Sequence, residues 1–190
     1  FICLPANGIN DAGSDPKLQE FLRIALRHNP DNIGSDNSYQ GGWFTHTTEE
    51  IVDQCHGEAH AVFTNPQDVI EVLKELKQAD LGMSVVISGL TDSVDKICRE
   101  AGLIRHTVEF SLGVRGKTEK LPPREILDIT TMCGHHMVSP NLVKALVEDV
   151  RKGNKSPDEA GKELARPCYC GCFNSHRAGK LITRMAGIDK

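Results

Sequence analysis

The chain has few aromatic residues and no long apolar run. Of its 190 residues only Tyr39, Trp43 and Tyr169 are tyrosine or tryptophan, which leaves no platform on which nucleic-acid bases stack. No stretch reaches the length of a membrane span, so no membrane partner is expected. No run of lysine or arginine stands out, and 22 basic residues against 26 acidic ones leave a net charge of −4. That is too little positive charge for a nucleic-acid surface. The phosphate loop, the glycine-rich dinucleotide fingerprint and the nucleophile elbow are all missing. A charged-then-apolar leader is lacking too, and the chain opens on Phe1 rather than Met, which reads as a fragment or a processed form.

What the chain does have is cysteine in an unusual arrangement. It holds seven, an odd number, and Cys133, Cys168, Cys170 and Cys172 all lie between residues 133 and 190. A disulfide-stapled secreted domain does not space them so; in a reducing compartment such a cluster binds metal or does catalysis. Cytoplasm is the expected location. Cys133 lies in Thr131-Met132-Cys133-Gly134-His135-His136-Met137, and the other three in Pro167-Cys168-Tyr169-Cys170-Gly171-Cys172-Phe173-Asn174.

The spacing carries an expectation about the metal. On an extended backbone, residues two apart lie about 6.6 Å apart, at roughly 3.3 Å per residue. Around one tetrahedral zinc, with a metal–sulfur bond of about 2.3 Å, thiolates come within about 3.8 Å of each other. Three thiolates in five residues would reach that only on a severely kinked loop. In an iron–sulfur cubane each thiolate serves a different iron. The spacing therefore predicts a [4Fe-4S] cluster held by Cys133, Cys168, Cys170 and Cys172. Zinc is the alternative, bound by Cys133, two of the later cysteines and His135 or His136. Metal-free redox thiols are a third reading, although a Cys-x-Cys disulfide ring is strained.

Read in order, the opening to Gly13 is turn-rich and without period. Asp15-Pro16 starts a helix with Leu18, Phe21, Leu22, Ala25 and Leu26 inward, and Asn29-Pro30 stops it. Residues 31–45 read as a polar loop closing on Trp43 and Phe44, either a lid or a surface excursion with both rings in the core. A short helix capped by Thr48 runs to Cys55. Cys55, His56 and His60 could ligate a metal, but Cys55 falls on the apolar side with Ile51 and Val52, where it acts as a small hydrophobe. Strands are expected at Ala61 to Phe63, Met83 to Ser88, Ile104 to Leu112 and Ile126 to Thr130, with helices after the first two. The fold class this gives is α/β: a small, mostly parallel sheet with right-handed crossover helices and an antiparallel pair at one side. A helical segment carrying the cysteines follows, with helices opened by Ser139-Pro140, by a Ser156/Glu159 capping box and by Asn174 or Ser175. The expected divisions are residues 1–57, 58–132 and 133–190.

In that layout Cys133 lies just past the C-terminal end of a strand, where open α/β sheets keep their ligands. An anionic cluster would face the N-terminus of the last helix at Asn174. His135 and His136 are the candidate acids or bases, and Asn174 and Arg177 are candidates for binding the cofactor or a small anion. Cys98 reads as core.

At these same residues the chain resembles a group of anaerobe proteins whose archaeal member is called methanogenesis marker protein eight. One block is similar to Thr131-Met132-Cys133-Gly134-His135 running into Met137-Val138-Ser139. The other is similar to Pro167-Cys168-x-Cys170-Gly171 followed by Phe173-Asn174 and Arg177-Ala178. The resemblance covers the last third of the chain, and the Gly82 to Val86 strand more loosely. It implies anaerobic metabolism and no particular activity. Cys172 and His136 depart from the group's pattern, which leaves the fourth ligand open. Four cysteine ligands suit electron transfer, cofactor assembly or a structural role. Three leave an iron free to act as a Lewis acid in a lyase or desulfurase. A zinc-stapled interaction module is the remaining reading. The expected partner is a redox or enzyme protein, or a small anionic substrate; nothing in the sequence sets an oligomeric state.

Overall fold

The structure, a computed structural model, describes residues 1–35 and 42–188. Its sheet has four strands: β1 (Ile2–Leu4), β2 (Asn32–Ser35), β3 (Ala59–Val62) and β4 (Ser84–Val86). They lie in the order β2-β3-β1-β4, and every neighbouring pair is antiparallel. This overturns the expectation of a mostly parallel sheet. Strands β3 and β4 do run the same way on either side of a helix, α4 (Pro66–Ala79), as a crossover predicts. But β1 is inserted between them, and in the same manner β3 is inserted between β1 and β2. The result is two interleaved split β-α-β units, the ferredoxin-like strand order; the term describes topology alone. The inserted strand β1 comes from the turn-rich opening, whose three-residue length is too short to show alternation.

One face of the sheet carries α1 (Asp15–Leu26) and α4. Cys3, Ile33, Ala59 and Ala61 alternate onto this face and bury with Leu18, Phe21, Leu22 and Ala25 of α1 and Val72 and Leu76 of α4. Proline at the first turn of both helices replaces an amide that would have had no partner there. The helix α3 (Thr48–Asp53) adds Ile51 and Val52, and begins at a Thr47/Glu50 capping box one residue before the expected cap. Within the polar stretch 31–45, β2 and a single turn α2 (Gly42–Thr45) are formed; residues 36–41 lie outside the described ones. Trp43 and Phe44 are half-buried and pack into two different cores.

Residues 1–57 and 58–132 each supply two strands to this one sheet. A helix α5 (Thr91–Glu100) lays Ile97 against Val69, Ile70 and Leu73 of α4. Beyond it, two expected strands are not formed. Residues 126–130 belong to a helix, α6 (Arg124–Thr130), because Ile126, Ile129 and Thr130 are spaced three and four apart and all three bury. Residues 104–112 alternate apolar and polar but pair with no strand, and Ile104, Phe110 and Leu112 are 95%, 68% and 85% exposed. Period-two patterning makes an amphipathic strand only where a partner strand and a core are at hand.

The rest is a helical layer of α6, α7 (Pro140–Arg151), α8 (Pro157–Ala165) and α9 (Ser175–Ala186). Its core joins Val143, Leu146 and Val147 to Leu164 and Ile182, with Cys133, Cys168 and Cys170 in its wall. Helices α8 and α9 approach closely through Gly161 and Gly179; a Cβ on Gly161 would stand 2.3 Å from the Ser175 carbonyl oxygen. Among the described residues no helix is long and apolar enough to cross a membrane.

The stretch between α5 and α6 holds few backbone hydrogen bonds, so it is where a protease should enter first. Brief trypsin treatment is expected to cut at Arg115 or Lys117 before any site in α7 to α9. First cleavage within α7 or α9, read by mass spectrometry, would contradict the exposed course of this segment.

Candidate metal centre

Two glycines bring the cysteine loop onto the second face of the sheet. Gly34 of β2 and Gly171 of the loop stand back to back. A Cβ on Gly34 would lie 2.2 Å from the Cys170 carbonyl oxygen, and one on Gly171 2.2 Å from the Ile33 carbonyl oxygen. Gly171 also has φ of +73°, a conformation that L side chains rarely adopt. Hydrogen bonds flank this contact. The Asn32 amide nitrogen Nδ2 donates to the Phe173 carbonyl at 3.2 Å, and the Asp31 carboxylate accepts from the Ser175 hydroxyl at 3.3 Å and the His176 amide at 3.4 Å. Residues 168–171 make a turn, closed by the Gly171 amide on the Cys168 carbonyl at 3.3 Å. The loop is thus kinked, contrary to the extended backbone assumed from the spacing.

The turn brings the thiols together. Cys168 Sγ and Cys170 Sγ are 3.9 Å apart. The Cys133 thiol neighbours Cys168, and the Cys172 thiol neighbours Cys170. All four are unpaired by disulfides; three are buried and Cys172 half-buried. Cys133 lies just past the end of a helix rather than a strand, and Val138 anchors its loop in the helical core.

The row of thiols has alternating charge preference. Cys170 is held far below the ordinary thiol range: S–H groups of Cys168 and Cys172 bond to its sulfur, the Cys172 amide adds to them, and His60 lies close by. Cys133 is lowered to about 6, first by its contact with Cys168, whose one proton serves either Cys133 or Cys170, and then by the Met137 and His135 amides. Cys168 and Cys172 are raised accordingly, Cys168 by its bonds to Cys133 and Cys170, Cys172 by its bond to Cys170 and then by burial. Amides that point at thiolate sulfur are also the outer-shell bonds that metal–thiolate centres use.

A residue outside the expected site completes it. The ligand atoms of His60, Cys170 and Cys172 all lie within 4.8 Å of one another. His60 is 2% exposed on β3, between Gly34 and Ile2 on the face that looks at the loop. Its Nδ1 is 2.8 Å from the Cys170 carbonyl oxygen and its Nε2 3.3 Å from Glu58. Sequence grouping had placed it with Cys55 and His56, but the strand separates them. Cys55 turns into the α1 core, and the His56 ring pairs with Asp15 at 2.8 Å. The available signal was a single histidine among Ala59, Ala61 and Val62.

The other candidates are placed as follows. His135 is exposed, stacks on Tyr169 with ring centroids 5.0 Å apart, and sets its Nδ1 3.6 Å from Cys170 Sγ. His136 is exposed with φ of +56°. Asn174 caps α9, its side chain accepting from the Arg177 amide at 2.7 Å. The Arg177 side chain is exposed. With Asn174 and Asp31 on its first amides, α9 directs its N-terminus at its own caps rather than at the thiols. Cys98 is half-buried on α5, apart from the cluster.

Soft thiolates with imidazole are the donor set of zinc, iron–sulfur and other thiophilic metals, and they do not suit calcium or magnesium. The centre can therefore bind a metal. No family model, curated protein or solved structure matches the chain.

Two outcomes are expected. Gly171→Ala and Gly34→Ala each force a Cβ into a backbone carbonyl, and should destabilise by about 3 kcal/mol or more; a urea midpoint equal to wild type would contradict the contact. Cys3 and Cys55 are raised from 9.0 to about 12 and about 11, chiefly by burial. The stability they lend is whole below pH 9, where both states are neutral, and is lost as pH rises through 11 to 12. Native protein at pH 8 should thus leave both unalkylated by iodoacetamide.

Proposed function

We propose that the protein is an iron–sulfur protein, holding a [4Fe-4S] cluster at Cys133, Cys168, Cys170 and Cys172 and serving electron transfer or cofactor assembly in an anaerobic pathway. The supporting observation is the length of the donor row. A single tetrahedral ion takes four donors, each within about 3.8 Å of the others. Here four thiols bond in sequence, with His60 and His135 beside them, and the mutually close set takes in only His60, Cys170 and Cys172. Such a row suits several metal ions better than one. A cluster supplies one-electron chemistry, or Lewis acidity at an iron left open. The chain's own contributions are the amide bonds to Cys133 and Cys170, which stabilise negative charge on sulfur, and the apolar wall of Phe173, Leu164 and Ile182, which keeps water from the buried side.

One observation favours a second reading. The 3.9 Å separation of Cys168 and Cys170 is close to the edge of a zinc tetrahedron. A zinc ion there would clamp the helical layer to the sheet, as a structural staple.

Iron and acid-labile sulfide analysis on protein purified without oxygen separates the two. Near four of each per chain is expected, with a broad brown absorption; one zinc and no sulfide would establish the clamp. Cys168→Ala and Cys170→Ala should each lose most bound metal, whereas Cys98→Ala should keep it.

A further inference from the structure

We propose that residues 104–112 are a dimerisation strand: the segment pairs antiparallel with the same segment of a second copy of this chain, about a two-fold axis at Thr107.

The segment has the sequence of a strand and none of a strand's bonds. Ile104, Val108, Phe110 and Leu112 share one parity, Arg105, Thr107 and Glu109 the other, and no glycine or proline interrupts them. Gly102 and Gly113, with φ of +68° and +83°, bound it at either end. Branched and aromatic residues of this kind suit a pleated, half-buried surface. Yet from Ile104 to Leu112 no main-chain group bonds to another main-chain group among the described residues. All four large apolar side chains are exposed as well. An unpaired ladder with an apolar row is a template for another chain.

The pattern also says which chain fits. Residues opposite each other in a sheet point to the same face, so apolar meets apolar only when the two-fold axis passes through a residue rather than between two. Of those axes, the one through Thr107 alone sets Arg105 of each copy opposite Glu109 of the other. Two ion pairs then form at once, with Ile104 opposite Phe110 on the other face. Axes through Arg105 or through Glu109 would oppose like charges, which destabilises a strand pair. Charge thus selects both the partner and the register. Glu109 has no ion pair among the described residues, and Arg105, 2.9 Å from Asp95, keeps further guanidinium donors for a second carboxylate.

Two strands alone are marginal in water and need apolar surface to rest on. Leu103 and Ile87 pack on the same core, so the segment leaves the fold beside β4, where Val86 and Leu90 are exposed. β4 is the last strand of the sheet, and its outer edge is the competing site for the segment. Ser84–Val86 carries no charge, so an edge pairing there would not depend on Arg105 and Glu109.

Sedimentation velocity on the full chain, purified without oxygen and kept in reductant so that no thiol links two copies, is expected to show a dimer that dissociates on dilution. Glu109→Arg and Arg105→Glu each oppose like charges at two places, and each should raise the dissociation constant about tenfold or more. Mixed one to one, the two variants oppose unlike charges at both places and should return the dimer. Phe110→Ser should be monomeric with the urea midpoint of dilute wild type, since that ring is exposed in the single chain. If Arg105→Glu does not fold without its Asp95 bridge, Glu109→Arg and Phe110→Ser carry the test. A wild type that stays monomeric, a dimer that Glu109→Arg leaves intact, or a mixture of folded variants that does not associate overturns the pairing. A dimer kept in Glu109→Arg and lost in Val86→Lys would overturn it in favour of the β4 edge.

Discussion

The sheet and the cysteine loop meet main chain against main chain at Gly34 and Gly171, and the rest of the centre depends on that contact. With no side chain at Gly34 or Gly171, the two backbones approach so closely that a Cβ on either glycine would stand 2.2 Å from a carbonyl oxygen of the other segment. The loop carbonyl of Cys170 then reaches the His60 ring, and the Asn32 amide reaches Phe173. A loop held this way is fixed in depth and in rotation. Cys168 and Cys170 consequently set their sulfurs 3.9 Å apart, and those of Cys170 and Cys172 come within 4.8 Å of a His60 ring nitrogen.

Packing four thiols in a row is an electrostatic problem that the chain by itself solves only in part. Each S–H that bonds to a neighbouring thiolate leaves its own proton harder to remove, so Cys170 and Cys133 are lowered while Cys168 and Cys172 are raised. Like charges in a low dielectric repel strongly, so neighbouring thiols in the row resist ionising together. A cation of charge two or more removes that limit and lets every thiolate form. Metal binding and proton release are then one event.

Much of the helical layer was legible from sequence because its signals are local. Proline after Ser139 and Ser156, the Ser156/Glu159 box and the Asn174 cap act within one turn of chain. The cysteine site was legible as a composition of ligands, but not as a geometry. The expectation of thiols about 6.6 Å apart assumed an extended backbone, and the positive φ of Gly171 bends it instead. The sheet misread for a different reason. A β-α-β order is shared by parallel folds and by split units, and what separates them is a strand inserted from elsewhere, here Ile2–Leu4. Ile126 to Thr130 shows the same weakness at short range, because a five-residue apolar run fits either period. His60 was grouped with Cys55 and His56 rather than with the late cysteines, since Cys170 lies 110 residues away.

That separation also sets a schedule. The candidate donors on β3, in the loop after α6 and in the turn before α9 do not meet until the interleaved sheet has closed and the helical layer has docked on it. The strand pairings and the Gly34–Gly171 contact are non-local, which makes them slow to form. Metal is therefore expected to be acquired by a nearly finished fold rather than by a nascent one. A metal supplied to it would meet an inner wall already shut by the buried Cys133, Cys168 and Cys170.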